Sequence, residues 1–315
     1  MEQLLEVTSS FRIMNTDVQT ILCVSPGMEK TAERAIKMIQ LLFRQAEDTM
    51  SRFSGDSELT RLNLSAGFPF KASPRLFDVV GESLEAARAT GGVFDPTILP
   101  SLVASGYDRS FEKLSGYTGI PGPNIPGLKS RWQDIRLDAL SSSINLPVGC
   151  SIDLGGIGKG WTVDRAFGLL GTFANFALDA GGDIRVQGTT AYGLPWDIGV
   201  ADPLIPGRNL LVVELYGGAL CTSTTTRRTW ESAGKIQHHL IDPVSGEPAR
   251  SGVISATVLA GSATRAEIIA KAALILGPVA GLRFIESQPG AFGLLVLEDK
   301  QVLYSAGFKE HAHVA

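Results

Sequence analysis

Cysteine is scarce in this 315-residue chain, with Cys23, Cys150 and Cys221 the only three and widely separated. An odd, dispersed set excludes a disulfide framework and a zinc site of paired cysteines, and leaves the thiols as small buried hydrophobes. Long apolar runs are missing too. Nowhere do about 18 apolar residues follow one another, so no segment reads as a membrane-spanning helix. The opening stretch "MEQLLEVTSSFRIMNTDVQTILCV" lacks the basic start and apolar run of a signal peptide. The expectation is a cytoplasmic soluble protein, with an export signal removed beforehand left open. Positive charge is not in excess either: 28 Lys and Arg face 32 Asp and Glu, a net charge of −4. That balance offers no basic stripe for a phosphate backbone and argues against nucleic acid as a partner.

What is present is apolar content of 44%, ample for a substantial core. "FRIMNTDVQTILCV" alternates like a strand. In "MEKTAERAIKMIQLLFRQAEDTMSRF", Ala35, Met38, Ile39, Leu42 and Phe43 recur at helical spacing. "SPRLFDVVGESLEAARATGG" reads as a helix with Ser73 as N-cap, Pro74 at the first helical position and Gly91 as a stop. Residues 104–130 are rich in Gly, Pro and Ser and read as a long loop or lid within a single domain spanning 1–315. "ALDAGGDIRVQG", "WDIGVAD", "NLLVVELYGGALCTS", "HHLIDP" and "ISATVLAG" follow as strands with turn punctuation. After them, "ATRAEIIAKAALILG" is a helix and "GAFGLLVLEDKQVLYSAGF" a β-hairpin. The class is α+β, with helices bracketing a mainly antiparallel sheet.

One stretch carries chemistry of its own. "CSIDLGGIGKGWTVDRA", residues 150–166, reads as a buried strand running through glycines into Lys159 and a helix. Glycines let backbone N–H groups approach an anion, and a lysine adds a point charge, as a phosphate cradle requires. The spacing of a Walker motif is absent. A glycine-rich turn with a surface lysine is the competing reading. A second candidate is the pair His238 and His239, two of only four histidines. Strand neighbours face opposite sides, so only one of the pair can enter a given site.

In order along the chain, "MSRFSGDSELTRLN", "TGGVFDPTI", "SIDLGGIGKGWTVDRA", "ALDAGGDIRVQG", "CTS" and "HHLIDPVSGEPA" resemble the ApbE family, the FAD:protein FMN transferases, from about Phe11 to Phe308. The resemblance implies a T-fold-type α+β architecture. It also implies FAD as ligand, magnesium as cofactor, and transfer of FMN from FAD to a threonine of an acceptor flavoprotein with release of AMP. Flavin contacts then fall on Met14, Phe53, Val93, Phe94, Asp95, Asp153, Lys159 and Ile241. Bland alternatives stay open for several: Met14 as core filler, Phe53 as core aromatic, Asp95 as the turn-former before Pro96. The family's H[IL]IDP pattern puts the catalytic base at His239, whose side-chain type titrates near neutrality; a structural histidine donating to a nearby carbonyl is the competing reading.

The metal site is where the chain departs from the resemblance. The family's metal ligands include a backbone oxygen at the position of Gly156 and, on one helix, an aspartate and a threonine four apart. Here Glu267 and Lys271 take those two places. A longer carboxylate still reaches a cation, but an ammonium cannot ligate one, and the two side chains are spaced to pair with each other. Magnesium is therefore expected to matter less here. "TSTTTRR" keeps Thr222, Ser223 and Arg228 of the family's TSGDYER run but loses its glycine, aspartate and tyrosine. Two further readings remain: a flavin-binding protein without catalysis, and an FAD pyrophosphatase giving FMN and AMP. "GSAT", residues 261–264, is a faint match to a flavin-acceptor motif, and lacks its leading aspartate.

Overall fold

The structure, a computed structural model, describes residues 3–114, 130–232 and 234–314. It resolves into two compact units interleaved in the chain. The first comprises Met1–Arg44, Lys159–Thr224 and Gly252–Ala315, the second Gln45–Gly158 and Thr225–Ser251.

The first unit is built on an eight-stranded sheet in the order Leu5–Ile13, Thr16–Val24, Asn175–Ala180, Asp183–Gln187, Gly217–Thr224, Val253–Ala260, Phe292–Leu297 and Val302–Tyr304. Every neighbouring pair is antiparallel. The first two strands are joined by Met14 and Asn15, at φ 52° and 55°. Positive φ at both residues of a two-residue loop gives the turn whose twist matches the flanking strands, and Asn suits it well. Val253–Ala260 is buried along its whole length, which requires cover on both faces. One face carries Leu220, Leu259, Leu294 and Val296 against Trp196, Ile198, Leu211 and Val213 of a smaller three-stranded sheet. On the other lies the helix Ala263–Leu276, where Cys221 Sγ donates to Ala263 O at 3.4 Å. Burial raises the thiols of Cys23 and Cys150 to about 11 and Cys221 higher still, so all three behave as inert hydrophobes.

The helix Glu29–Met50 buries Ala32, Ile36, Ile39 and Phe43 at four- and three-residue steps. Met38, counted above into the apolar stripe, is 54% exposed, so the buried face is rotated from the one expected. A flexible thioether tolerates that exposure.

The second unit packs the helices Glu58–Leu64 and Pro74–Ala89 with a three-stranded sheet, Pro69–Lys71, Ser143–Asn145 and Arg136–Asp138. Ser73 caps Pro74–Ala89 as its type predicts, accepting from Leu76 N at 3.2 Å. The helix Leu99–Ala104 ends on Gly106, at φ +97°, with Tyr107 N donating to Leu102 O at 2.9 Å and Gly106 N to Val103 O at 3.0 Å. This is a Schellman closure, and it aims Tyr107 inward. Residues 115–129, the greater part of the expected long loop, lie outside the described residues. Among the described residues no helix is long and apolar enough to cross a membrane.

Candidate functional site

In the first unit, four charged side chains meet beneath the start of the helix Gly158–Leu169. Lys159 Nζ donates to Asp183 Oδ2 and, at 3.3 Å, to Glu267 Oε1. Lys271 Nζ reaches the same Glu267 oxygen at 3.3 Å, and Gly160 N donates to Glu267 Oε2 at 3.0 Å. Glu267 is 2% exposed. Burial alone would raise its carboxyl, but the two ammonium groups and the Gly160 N–H outweigh that and hold it below its ordinary value. The expected pairing of Glu267 with Lys271 is present, and Asp183, for which the sequence suggested no role, completes the group.

Gly160 is what lets the two helices close on this carboxylate. A Cβ there would meet Ala263 O at 2.8 Å and Glu267 Oε2 at 2.9 Å. Gly160→Ala is therefore expected to destabilise by about 1–3 kcal/mol, although alanine is the better helix former. A urea midpoint equal to or above that of the parent would refute the packing argument.

These contacts also decide whether a divalent cation fits. Both Glu267 oxygens are taken, one by two cations and one by an N–H. Among the described residues no group of three or more His, Cys, Asp or Glu gathers as a metal cluster. The residues around Glu267 do not fit magnesium, which needs oxygen ligands in near-octahedral geometry.

In the second unit, aromatic rings and one arginine form a continuous stack. Phe53 lies 5.6 Å from Tyr107, and Tyr107 5.1 Å from Trp230. The Arg52 guanidinium sits 4.1 Å from the Phe53 centroid and 4.5 Å from that of Tyr107. Its Nε pairs with Asp153 Oδ2 at 2.9 Å, with both side chains nearly buried. Asp153 Oδ1 accepts from Gly155 N at 2.8 Å, which shapes the turn leading to Gly156. Trp230 Nε1 donates to Ser105 O at 2.8 Å, an approach open because Gly106 has no side chain to block it. Burial raises the Tyr107 hydroxyl, with Arg228 and Arg52 opposing, so Tyr107 stays neutral at pH 7.

The predicted flavin residues of this unit divide. Phe53 keeps an exposed face at 37%, and Ile241, fully buried, packs with Tyr107 and Trp230. Asp153 enters the group through Arg52. Phe94 is 5% exposed and Asp95 Oδ1 accepts from both Thr97 N and Thr97 Oγ1 at 2.7 Å, so Asp95 does form the turn. Val93 precedes them, half-buried. In the first unit Met14 is half-buried in its hairpin turn. Arg52, Tyr107 and Trp230 went unremarked in the sequence; the one available signal was a cation beside an aromatic in "MSRF".

The histidine pair behaves differently from the alternating strand expected. The strand Lys235–His238 ends at the first histidine, and His239 occupies the bend before Ile241–Asp242. His238 Nε2 donates to Ala249 O at 3.0 Å while its Nδ1 accepts from Leu240 N at 3.3 Å. That arrangement fixes the neutral tautomer, and burial lowers its basicity further. His239 is half-buried, with Nδ1 inside. Thr264, the end of "GSAT", is buried, with its hydroxyl and its backbone N–H both donating to Asp164 Oδ2, at 2.6 and 2.9 Å.

Comparison with known proteins places this geometry in a family. The model of the ApbE family matches residues 14–295. FAD:protein FMN transferase of Treponema pallidum is 29% identical over 303 residues, covering 89% of this chain and 82% of its own. That of Vibrio cholerae is 29% identical over 289 residues, covering 87% and 81%. Among solved structures, the ApbE protein of Thermotoga maritima superposes with a TM-score of 0.82 at 26% identity, covering 98% of this chain and 99% of its own. The flavin transferase ApbE from Vibrio cholerae gives 0.79 at 25%, with the same coverage.

Proposed function

The chain belongs to the ApbE family, and from that premise we propose that it is an FAD:protein FMN transferase, moving FMN from FAD to a threonine of an acceptor protein and releasing AMP. One observation carries the reading: the family match from 14 to 295 contains every residue assigned a role. Curated relatives of similar length bear the transferase name, which favours neither a pyrophosphatase nor a binder without chemistry.

The roles follow from the chemistry of the side chains. Lys159, at the first turn of a 12-residue helix, adds its charge to the helix N-terminus and neutralises pyrophosphate oxygens. Phe53 offers a ring face for stacking, backed by Arg52 and Tyr107. Arg52 is itself evidence of fit: its Nη2 is buried and has no hydrogen-bond partner among the described residues, which suits a pocket whose acceptor arrives with the ligand. Met14, Val93, Phe94 and Ile241 are the remaining flavin contacts that the family pattern assigns, and Asp95 and Asp153 fix the backbone of their turns. In the transfer step the threonine oxygen attacks the FMN phosphorus, His239 takes its proton, and the phosphorus–oxygen bond to AMP breaks.

Titration with FAD, followed by flavin fluorescence, tests the reading. Absence of binding up to about 100 μM, weaker than about −5.5 kcal/mol, would overturn it. Lys159→Ala should weaken FAD at least about tenfold while leaving riboflavin, which has no phosphate, within about twofold.

A further inference from the structure

We propose that the Lys271 ammonium stands in for a divalent cation: with Lys159 it neutralises the pyrophosphate of FAD, so that flavin binding by this chain does not require magnesium. The inference rests on the flavin reading above and names a binding residue that reading does not use.

The geometry around Glu267 carries it. Two ammonium groups share Glu267 Oε1 at 3.3 Å each, and the Gly160 N–H holds Oε2. A cation approaching this carboxylate would have to displace both lysines and would meet their charge in a partly desolvated setting. The two lysines are not equivalent. Lys159 bridges two carboxylates, Asp183 and Glu267. Among the described residues Glu267 is the single partner of Lys271, whose ammonium carries three donors. Its side chain keeps 14% exposure, and the proposal gives its remaining N–H groups to the arriving anion. An ordinary surface pair at four-residue spacing would have both partners in water, whereas here the carboxylate is buried and the ammonium lies close to the opening turn of an α-helix. Glu267 thus holds a fixed positive charge in place, as a ligand holds a metal.

The test is FAD titration of the whole chain in EDTA and in about 5 mM magnesium, on the parent, Lys271→Met and Lys271→Arg, with riboflavin as the phosphate-free control. The parent should bind FAD with affinities agreeing within about twofold in the two buffers. Lys271→Met should lose about tenfold or more for FAD and little for riboflavin, and Lys271→Arg should stay near the parent. Magnesium tightening parental FAD binding by more than about tenfold overturns the inference, as does Lys271→Met binding FAD like the parent. If Lys271→Met loses riboflavin as well, the parental comparison and Lys271→Arg decide between the two. FAD binding in neither buffer overturns the flavin reading itself, an outcome distinct from magnesium-dependent binding.

Discussion

Replacing His239 with alanine should lower covalent FMN transfer to a threonine-bearing acceptor domain by about 10²–10⁴-fold, while FAD affinity stays within about twofold. The expectation follows from the role proposed for His239, and its neighbour supplies the contrast. His238 is committed at both ring nitrogens, Nε2 to Ala249 O and Nδ1 to Leu240 N. It is neutral and cannot accept a further proton without breaking the Leu240 bond. His239, in the bend beyond the strand end, is the member of the pair proposed above as the base. The two substitutions should therefore separate cleanly. His238→Ala leaves the Ala249 carbonyl and the Leu240 N–H without their partner and should lower stability by about 1–3 kcal/mol, with transfer per folded molecule little changed. His239→Ala should do the reverse. In-gel flavin fluorescence for transfer and urea unfolding for stability measure both. Transfer by His239→Ala within about threefold of the parent would remove it as the base, and equal loss from both variants would remove the distinction between them.

How much of this was legible beforehand depended on the range of the interaction. Ser73 and Gly277 act within one turn of the helices they cap or end, and local spacing showed both helix limits. Glu267 and Lys271 lie four apart on one helix, so their pairing was visible too. The histidines were misplaced because alternation holds only while a strand continues, and this one stops between them. Arg52 and Asp153, or Phe53, Tyr107 and Trp230, meet from distant stretches, and nothing in the local spacing of either partner announces the other. The interleaving of the units was equally silent. The chain crosses between them inside the helix Glu29–Met50, where no Pro- or Gly-rich linker marks the passage, and again at 158/159, 224/225 and 251/252.

The largest stability effect should come from Glu267. Glu267→Ala removes the carboxylate that two ammonium groups and a backbone N–H share, takes one of its carboxylate partners from Lys159 and leaves Lys271 with no partner among the described residues. Breaking one member of a buried ionic group typically costs about 3–5 kcal/mol, mostly through the charge left behind. Glu267→Met combined with Lys271→Met tests that attribution, because it removes both charges at similar volume and should recover most of the loss. The pH dependence has a definite sign. Glu267 has its carboxyl held below the ordinary value of 4.5, so its contribution is fully present above that pH and is lost as pH falls through the depressed value of the folded state. The gap in unfolding free energy between the parent and Glu267→Ala should thus be widest near pH 7 and narrow on the acid side of about 4.5. Urea unfolding across that range reads it directly. A gap below about 1 kcal/mol at pH 7 would mean that water already serves the two lysines, and a gap that does not change with pH would mean that Glu267 packs as a neutral acid.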